Sequence, residues 1–100
     1  MLSAIESIEE FMEGNDQNQY LKDIKLQSAV QWQFLVIGEA VRHVDHEVLD
    51  KYNYPWHVPR TFRNFITHGY HEIKPERIYH ATTDLAPLKE VLQTILANEF

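Results

Sequence analysis

Apolar residues recur along this chain at the three- and four-residue spacing of amphipathic helices, and no stretch alternates as a strand would. The pattern runs through residues 1–13 and stops at the Gly-Asn-Asp sequence of residues 14–16. The apolar positions of this first helix are Leu2, Ile5, Ile8 and Met12. The pattern therefore predicts an all-α protein that opens with a helix over residues 1–13.

A second, longer helix is predicted for residues 17–44. Its apolar stripe consists of Tyr20, Ile24, Val30, Phe34, Ile37 and Val41. Gly38 lies within this helix, and we expect its missing side chain to let another helix approach closely.

Prolines and glycines divide the remainder of the chain. A short helical turn and a loop are expected before Pro59, and a third helix should begin near Pro59, where proline is tolerated in the first turn. That helix should end at Gly69 in a left-handed cap. A fourth helix should begin near Pro75, with a kink or break around residues 83–86 caused by Pro87. With 100 residues, these elements predict a single domain, an up-and-down bundle of four to five helices.

The composition of the chain excludes several kinds of site and of protein. The chain has no cysteine, which excludes disulfides and thiolate metal sites. No apolar run is long enough to span a bilayer, and the sequence "MLSAIESIEE" is acidic rather than signal-like. We therefore expect a cytoplasmic protein that makes no contact with a membrane.

Charge is distributed unevenly along the chain. The net charge of -6 argues against general nucleic-acid binding, but residues 51–80 carry five basic and two acidic residues, together with four of the six histidines. Residues 51–80 therefore form a basic segment in an acidic protein. Chance variation along the chain is an equally good explanation from charge alone.

The third helix concentrates polar chemistry on one side. At 100° per residue, Phe62, Phe65 and Ile66 fall on the side that would face the core. The opposite face carries Arg60, Arg63, Asn64, Thr67 and His68. A solvated face without a function is the commoner meaning of such a pattern. A metal site of His57, His68 and His71 is less favoured, because no acidic or sulfur ligand accompanies them at a recognisable spacing. A solvated surface is also the better interpretation of His43 and His46.

An arginine and a histidine together can cleave an RNA phosphodiester without a metal or another cofactor. The imidazole moves protons, and the guanidinium stabilises the charge that builds on phosphorus. The 2′-hydroxyl of RNA supplies the nucleophile. On this hypothesis Arg63 and His68 are catalytic, and Arg60, Asn64 and Thr67 are candidates for substrate binding.

The segment "RNFITHGY" matches the R-x4-H-x-Y motif of HEPN-domain toxins, the ribonucleases of toxin–antitoxin pairs whose partner is a minimal nucleotidyltransferase. Three further segments resemble this family in the same order. They are "VIGEAV" in the long helix, "YPWHVPRTFRN" before the motif and "DLAPLKEVL" near the end. The resemblance covers nearly the whole chain.

The resemblance implies specific roles. Arg63 and His68 correspond to the catalytic pair of the family, and Asn64 corresponds to a polar position next to the arginine. Tyr70 corresponds to the tyrosine to which the partner nucleotidyltransferase transfers AMP, which silences the RNase. The family also forms homodimers in which two motifs face one cleft. One departure is the run of glutamines early in the long helix, where relatives often carry a basic residue.

Two other functions remain open. The first is a non-catalytic helical module that supports a nucleotidyltransferase by binding its nucleotide or substrate. The second is a structural dimerisation bundle, which requires the polar face to be accidental. The intact motif of Arg63, His68 and Tyr70 favours the endoribonuclease.

Overall fold

Seven α-helices form the described part of the chain, residues 1–69 and 74–100 of a computed structural model. They are α1 (Leu2–Met12), α2 (Gln17–Lys22), α3 (Ile24–His43), α4 (His46–Leu49), α5 (His57–His68), α6 (Pro75–Thr82) and α7 (Ala86–Glu99). No strand occurs in these residues, so the all-α prediction is confirmed. The number of helices is higher than the predicted four to five, because two of the predicted helices are each divided.

The first division lies at Asp23, inside the long helix predicted for residues 17–44. Asp23 has an extended backbone (φ -114°, ψ 97°), and its side chain accepts a hydrogen bond from the backbone N–H of Leu26 at 3.1 Å. It is therefore the N-cap of α3. The predicted apolar stripe is wrong at Ile24, which follows this cap and is 78% exposed.

The second division separates α6 from α7 and was predicted. Helix α6 ends at Thr82, and α7 begins at Ala86 with Pro87 in its second position. The first four backbone N–H groups of a helix have no partner within the helix, so proline costs no hydrogen bond there. Pro75 is the first residue of α6, as expected, and it lies in the first turn in the same way.

Helix α3 runs through the middle of the bundle and packs against both α1 and α5. Its buried side chains include Val30, Phe34 and Ile37. Phe34 meets Phe62 of α5 edge to face, with 4.9 Å between the ring centroids. This geometry is favourable for aromatic pairs, and it fixes α5 on α3.

Side-chain contacts between residues far apart in the sequence join α7 to α1 and to the segment that follows α4. The hydroxyl of Tyr52 donates to the Glu99 carboxylate at 2.9 Å, and the Lys51 ammonium lies 3.2 Å from the same carboxylate. Lys89 of α7 pairs with Glu9 of α1 at 2.8 Å. No helix in residues 1–69 or 74–100 is long and apolar enough to cross a membrane.

Candidate functional site

Helix α5 carries the predicted motif. It begins at His57, two residues before Pro59, which is tolerated because it still lies in the first turn. It ends at Gly69 as predicted, but the backbone there has φ -108°, so the left-handed cap is wrong. Glycine is needed for space instead, because a Cβ at residue 69 would lie 2.8 Å from the carbonyl oxygen of Phe65.

The two faces of α5 are divided as the pattern predicted. Ile66 is buried, Phe62 and Phe65 are half-buried, and the guanidinium of Arg77 from α6 lies 4.5 Å from the centre of the Phe65 ring. The polar face contains Asn64, Thr67 and His68, which are exposed, and Arg60 and Arg63, which are half-buried. The apolar face therefore anchors α5, and its polar side chains are left for solvent or a ligand.

Gly38 of α3 determines how closely α5 approaches. A Cβ built on Gly38 would lie 2.2 Å from the Cβ of Arg63 and 2.9 Å from the backbone oxygen of Pro59, both far inside van der Waals contact. Only a residue without a side chain fits at this helix crossing. The predicted role of Gly38 is confirmed, and the residue that it admits is the arginine of the motif.

The guanidinium of Arg63 is held on two sides. Its Nη2 lies 3.3 Å from Oε2 of Glu39 on α3, and its Nη1 donates to Oδ1 of Asn64 at 3.0 Å. The side chain is 24% exposed. Guanidinium has five N–H donors, and the hydrogen bond to Asn64 uses one of them, so most remain for a ligand.

Glu39 is the residue of this site that sequence reasoning missed. Its Oε1 lies 3.2 Å from Nε2 of His43, and its Oε2 lies 3.4 Å from Nη1 of Arg42. The hydrogen bond with His43, and then the charges of Arg42 and Arg63, lower the pKa of Glu39 below its ordinary value. The available signal was the spacing, because Arg42 and His43 follow Glu39 by three and four residues, as ion pairs on a helix do.

The remaining motif residues lie around Arg63 at different distances. Thr67 donates its hydroxyl to the backbone oxygen of Arg63 at 2.9 Å, so its hydrogen is already engaged within the helix. His68 is exposed in the last turn. Five helical positions separate it from Arg63, which is about 140° around the helix and about 7.5 Å along it. The arginine and the histidine therefore border the polar face on opposite sides. Tyr70 lies outside the described residues.

A shallow groove between α3 and α5 adjoins the arginine. It is lined by Trp32, Leu35, Val36, Glu39, Ala40, His43, Arg63 and Thr67. Trp32 is 63% exposed although it is large and mainly apolar. The groove combines an exposed apolar surface with the polar group around Arg63.

The histidines do not gather at a metal site in the part of the chain that the structure covers. Among residues 1–69 and 74–100, no group of three histidine or carboxylate side chains is placed to hold a metal ion. The alternative of His57, His68 and His71 depends in part on His71, which lies outside those ranges.

Comparison with known proteins gives a family. The model of the family described as "Ribonuclease HepT-like" matches residues 1–95. A curated protein of Methanocaldococcus jannaschii, described as "Putative RNase MJ0127", is 31% identical over 98 residues, which cover 95% of this chain and 81% of that protein. No solved structure matches the chain. The chain therefore belongs to the HepT-like ribonuclease family.

Proposed function

We propose that this chain is the toxin of a toxin–antitoxin pair and acts as a metal-independent endoribonuclease, with Arg63 and His68 as its catalytic residues. The observation that carries the proposal is the placement of Arg63. The crossing at Gly38 admits the Arg63 side chain, and Glu39 and Asn64 contact its guanidinium at the edge of an exposed polar face, in a chain of the HepT-like ribonuclease family. Arg60 and the side-chain amide N–H groups of Asn64 lie on the same face and would donate to RNA phosphate oxygens, and the Thr67 oxygen would accept from a 2′-hydroxyl.

Cleavage of an RNA phosphodiester needs two proton transfers and one group that stabilises the negative charge on the phosphoryl oxygens. The 2′-oxygen of RNA attacks the adjacent phosphorus, and the bond from phosphorus to the 5′-oxygen breaks. A base takes the 2′-hydroxyl proton, and an acid gives a proton to the departing 5′-oxygen, which leaves a 2′,3′-cyclic phosphate. His68 serves as one proton-transfer group, and Arg63 stabilises the charge on the phosphoryl oxygens.

A homodimer would complete this scheme. One protomer offers a single motif imidazole, whereas two copies that share a cleft offer one His68 for each proton transfer. The groove beside Arg63 is lined by the exposed Trp32 and by the half-buried Leu35, Val36 and Ala40, and apolar surfaces of this kind are typical of protein–protein contacts. We propose that the second copy packs against these four residues.

Regulation would act on Tyr70. A minimal nucleotidyltransferase antitoxin would transfer AMP to its hydroxyl, which places a phosphate and a purine beside the motif. The added negative charge would compete with the RNA phosphate for Arg63.

Two substitutions test the catalytic assignment. Arg63→Ala should reduce the cleavage rate of single-stranded RNA by about 10²–10³-fold, as the loss of a charge-stabilising donor does. His68→Ala should reduce it by about 10²–10⁴-fold, as the loss of a general acid or base does. Cleavage by the wild-type protein should continue in EDTA. Lys25→Ala and His46→Ala are matched controls, because both residues are exposed and lie outside the groove.

The outcomes separate the candidate functions. Full activity in the Arg63 or His68 variant contradicts the assignment, and loss of activity in EDTA contradicts metal independence. A wild-type protein that binds a nucleotidyltransferase and does not cleave RNA would instead support a non-catalytic module.

Light scattering tests the dimer. The wild-type protein should be dimeric at micromolar concentration, and Trp32→Asp should be monomeric and inactive. Leu96→Asp is the matched control, since Leu96 is also exposed and apolar but lies on α7. A monomeric wild-type protein that cleaves RNA would refute the shared cleft.

Mass spectrometry tests the modification. Incubation with the nucleotidyltransferase, ATP and Mg²⁺ should add AMP to the peptide that contains Tyr70 and stop RNA cleavage, and Tyr70→Phe should prevent both. AMP on the Tyr70→Phe protein at the wild-type level would place the modification elsewhere. Tyr79 is the first alternative to examine.

A further inference from the structure

The Glu39 carboxylate connects the motif arginine to a second group of polar side chains. Its two oxygens reach Arg63 on α5 and both Arg42 and His43 in the last turn of α3. One carboxylate therefore faces two permanent cations and one imidazole. The local charge stays positive, so an RNA phosphate is still attracted to the site.

This arrangement contributes little to the stability of the fold. The Glu39 side chain is 43% exposed and the Arg63 side chain 24% exposed, and ion pairs near the surface contribute little because solvent screens them. An interaction of that size does not explain why a carboxylate stands beside an arginine that must bind phosphate. The position of the guanidinium offers a better explanation.

Arginine is long and flexible, and a freely rotating guanidinium would have to be ordered each time a phosphate binds. The Glu39 carboxylate forms an ion pair with Nη2 at 3.3 Å, and Asn64 accepts a hydrogen bond from Nη1 at 3.0 Å, so contacts from two helices restrain the guanidinium. Most of its N–H donors stay available. The fixed guanidinium is then oriented before the substrate arrives.

We propose that Glu39 is a positioning residue of the ribonuclease site, which orients the guanidinium of Arg63 towards the scissile phosphate. This inference rests on the proposed function. The same carboxylate repels the RNA phosphate, so its two effects have opposite signs. Glu39 weakens the binding of RNA and accelerates its cleavage.

Two substitutions separate the effect of the Glu39 charge from its effect on the orientation of the Arg63 guanidinium. Glu39→Gln removes the charge and keeps an oxygen that can accept from Arg63, whereas Glu39→Ala removes both. Each variant should bind an uncleavable DNA strand several-fold more tightly than wild type. The plot of log affinity against log salt should become steeper by about 0.7, as one more unpaired cation requires on a single strand.

Cleavage should respond in the opposite direction and by different amounts. With a single-stranded RNA that contains every dinucleotide step, Glu39→Ala should reduce kcat by about 10–100-fold, the range found in metal enzymes when a residue that orients a metal ligand is removed. Glu39→Gln should reduce it much less. Glu90→Gln and Glu90→Ala are matched controls, because Glu90 is exposed on α7, and they should alter neither binding nor kcat.

A measurement of motion makes the test independent of catalysis. NMR relaxation of the Arg63 Nε–H should show a rigid guanidinium in the wild-type protein and in Glu39→Gln, and a mobile one in Glu39→Ala. A guanidinium that is mobile in wild type overturns the proposal. So does an unchanged or increased kcat in Glu39→Ala, since an increase would make Glu39 a restraint on activity.

Failure of the proposed function gives a different result. Suppose that the wild-type protein cleaves no RNA, while its Arg63 guanidinium is rigid and becomes mobile in Glu39→Ala. The ribonuclease assignment then fails, but the role of Glu39 in ordering Arg63 is upheld. If wild type cleaves RNA and every Glu39 variant matches it, the positioning role fails alone.

Discussion

Replacing Gly38 with alanine adds one methyl group to the α3–α5 crossing, where the two helices leave no space for it. The new Cβ would lie 2.2 Å from the Cβ of Arg63, and ordinary contact begins at 3.4 Å. The helices must separate there by about 1.2 Å, because protein interiors are too densely packed to absorb the difference. The obstructing atoms are a Cβ and the backbone oxygen of Pro59, which cannot rotate away.

Two effects on stability oppose each other. Overpacking costs typically about 1–3 kcal/mol, and the rigid obstruction favours the upper value. Alanine also gains about 1 kcal/mol over glycine within a helix. The net destabilisation is therefore about 2 kcal/mol, which for a domain of this size lowers Tm by about 8–16 °C. Thermal unfolding followed by circular dichroism measures this difference.

The cleavage rate of Gly38→Ala should fall by more than the loss of folded protein explains. A displacement of about 1 Å in a catalytic group can reduce the rate by about 10²-fold, so, with the proposed catalytic role of Arg63, Gly38→Ala should cleave RNA slowly even well below its Tm. Gly14→Ala is the matched control. Gly14 has φ +76° and open space around it, so alanine costs about 1–2 kcal/mol of backbone strain without moving Arg63. Wild-type cleavage and an unchanged Tm in Gly38→Ala would refute the close crossing.

Three further substitutions test the packing and the pH dependence. The Tyr52 hydroxyl is the main cause that lowers the pKa of Glu99 below its ordinary value of 4.5, so Tyr52→Phe should be less stable than wild type at neutral pH. The difference should be complete above about pH 4.5 and should be lost as pH falls from there through the lowered pKa of Glu99, since stability from a lowered carboxyl pKa is lost on protonation; a difference that persists at still lower pH would contradict this account. Trp56→Phe removes the buried hydrogen bond from Nε1 to the Leu49 carbonyl (3.0 Å) and should cost about 1–3 kcal/mol in urea unfolding, with wild-type stability as the contrary result. The Tyr20 hydroxyl is buried without a hydrogen-bond partner among the described residues, and burial raises its pKa to about 12. Tyr20→Phe should therefore be at least as stable as wild type, and a clear loss would reveal a partner.

The parts of the fold that could be predicted are those in which the spacing of apolar residues or a proline determines the helix at the same place in the sequence. The first helix and the break before α7 follow directly from apolar spacing and from Pro87. The division at Asp23 was missed because aspartate within an apolar pattern can either face solvent or cap a helix, and only the backbone angles at that residue distinguish the two.

The site was predictable only along one helix. The pattern placed Arg63 and His68 on the polar face of α5, but it contained no information on which helix crosses beside them. Glu39 enters the site through a contact between α3 and α5, and a single sequence does not encode that distance in any local signal. The conformation of Gly69 was misjudged for a related reason, because glycine serves close packing as well as left-handed turns.

Because α3 and α5 cross so closely at Gly38, mutations in the codon of this glycine should inactivate the proposed toxin as well as mutations in the codon of Arg63. In a selection for cells that survive its expression, mutants at Gly38 should be recovered together with mutants at Arg63, although glycine has no side chain to bind RNA. Every single-base change of a glycine codon that alters the residue adds atoms at the crossing. Inactivating alleles should therefore cluster at two separate places in the gene, one encoding the arginine and the other the residue that makes room for it.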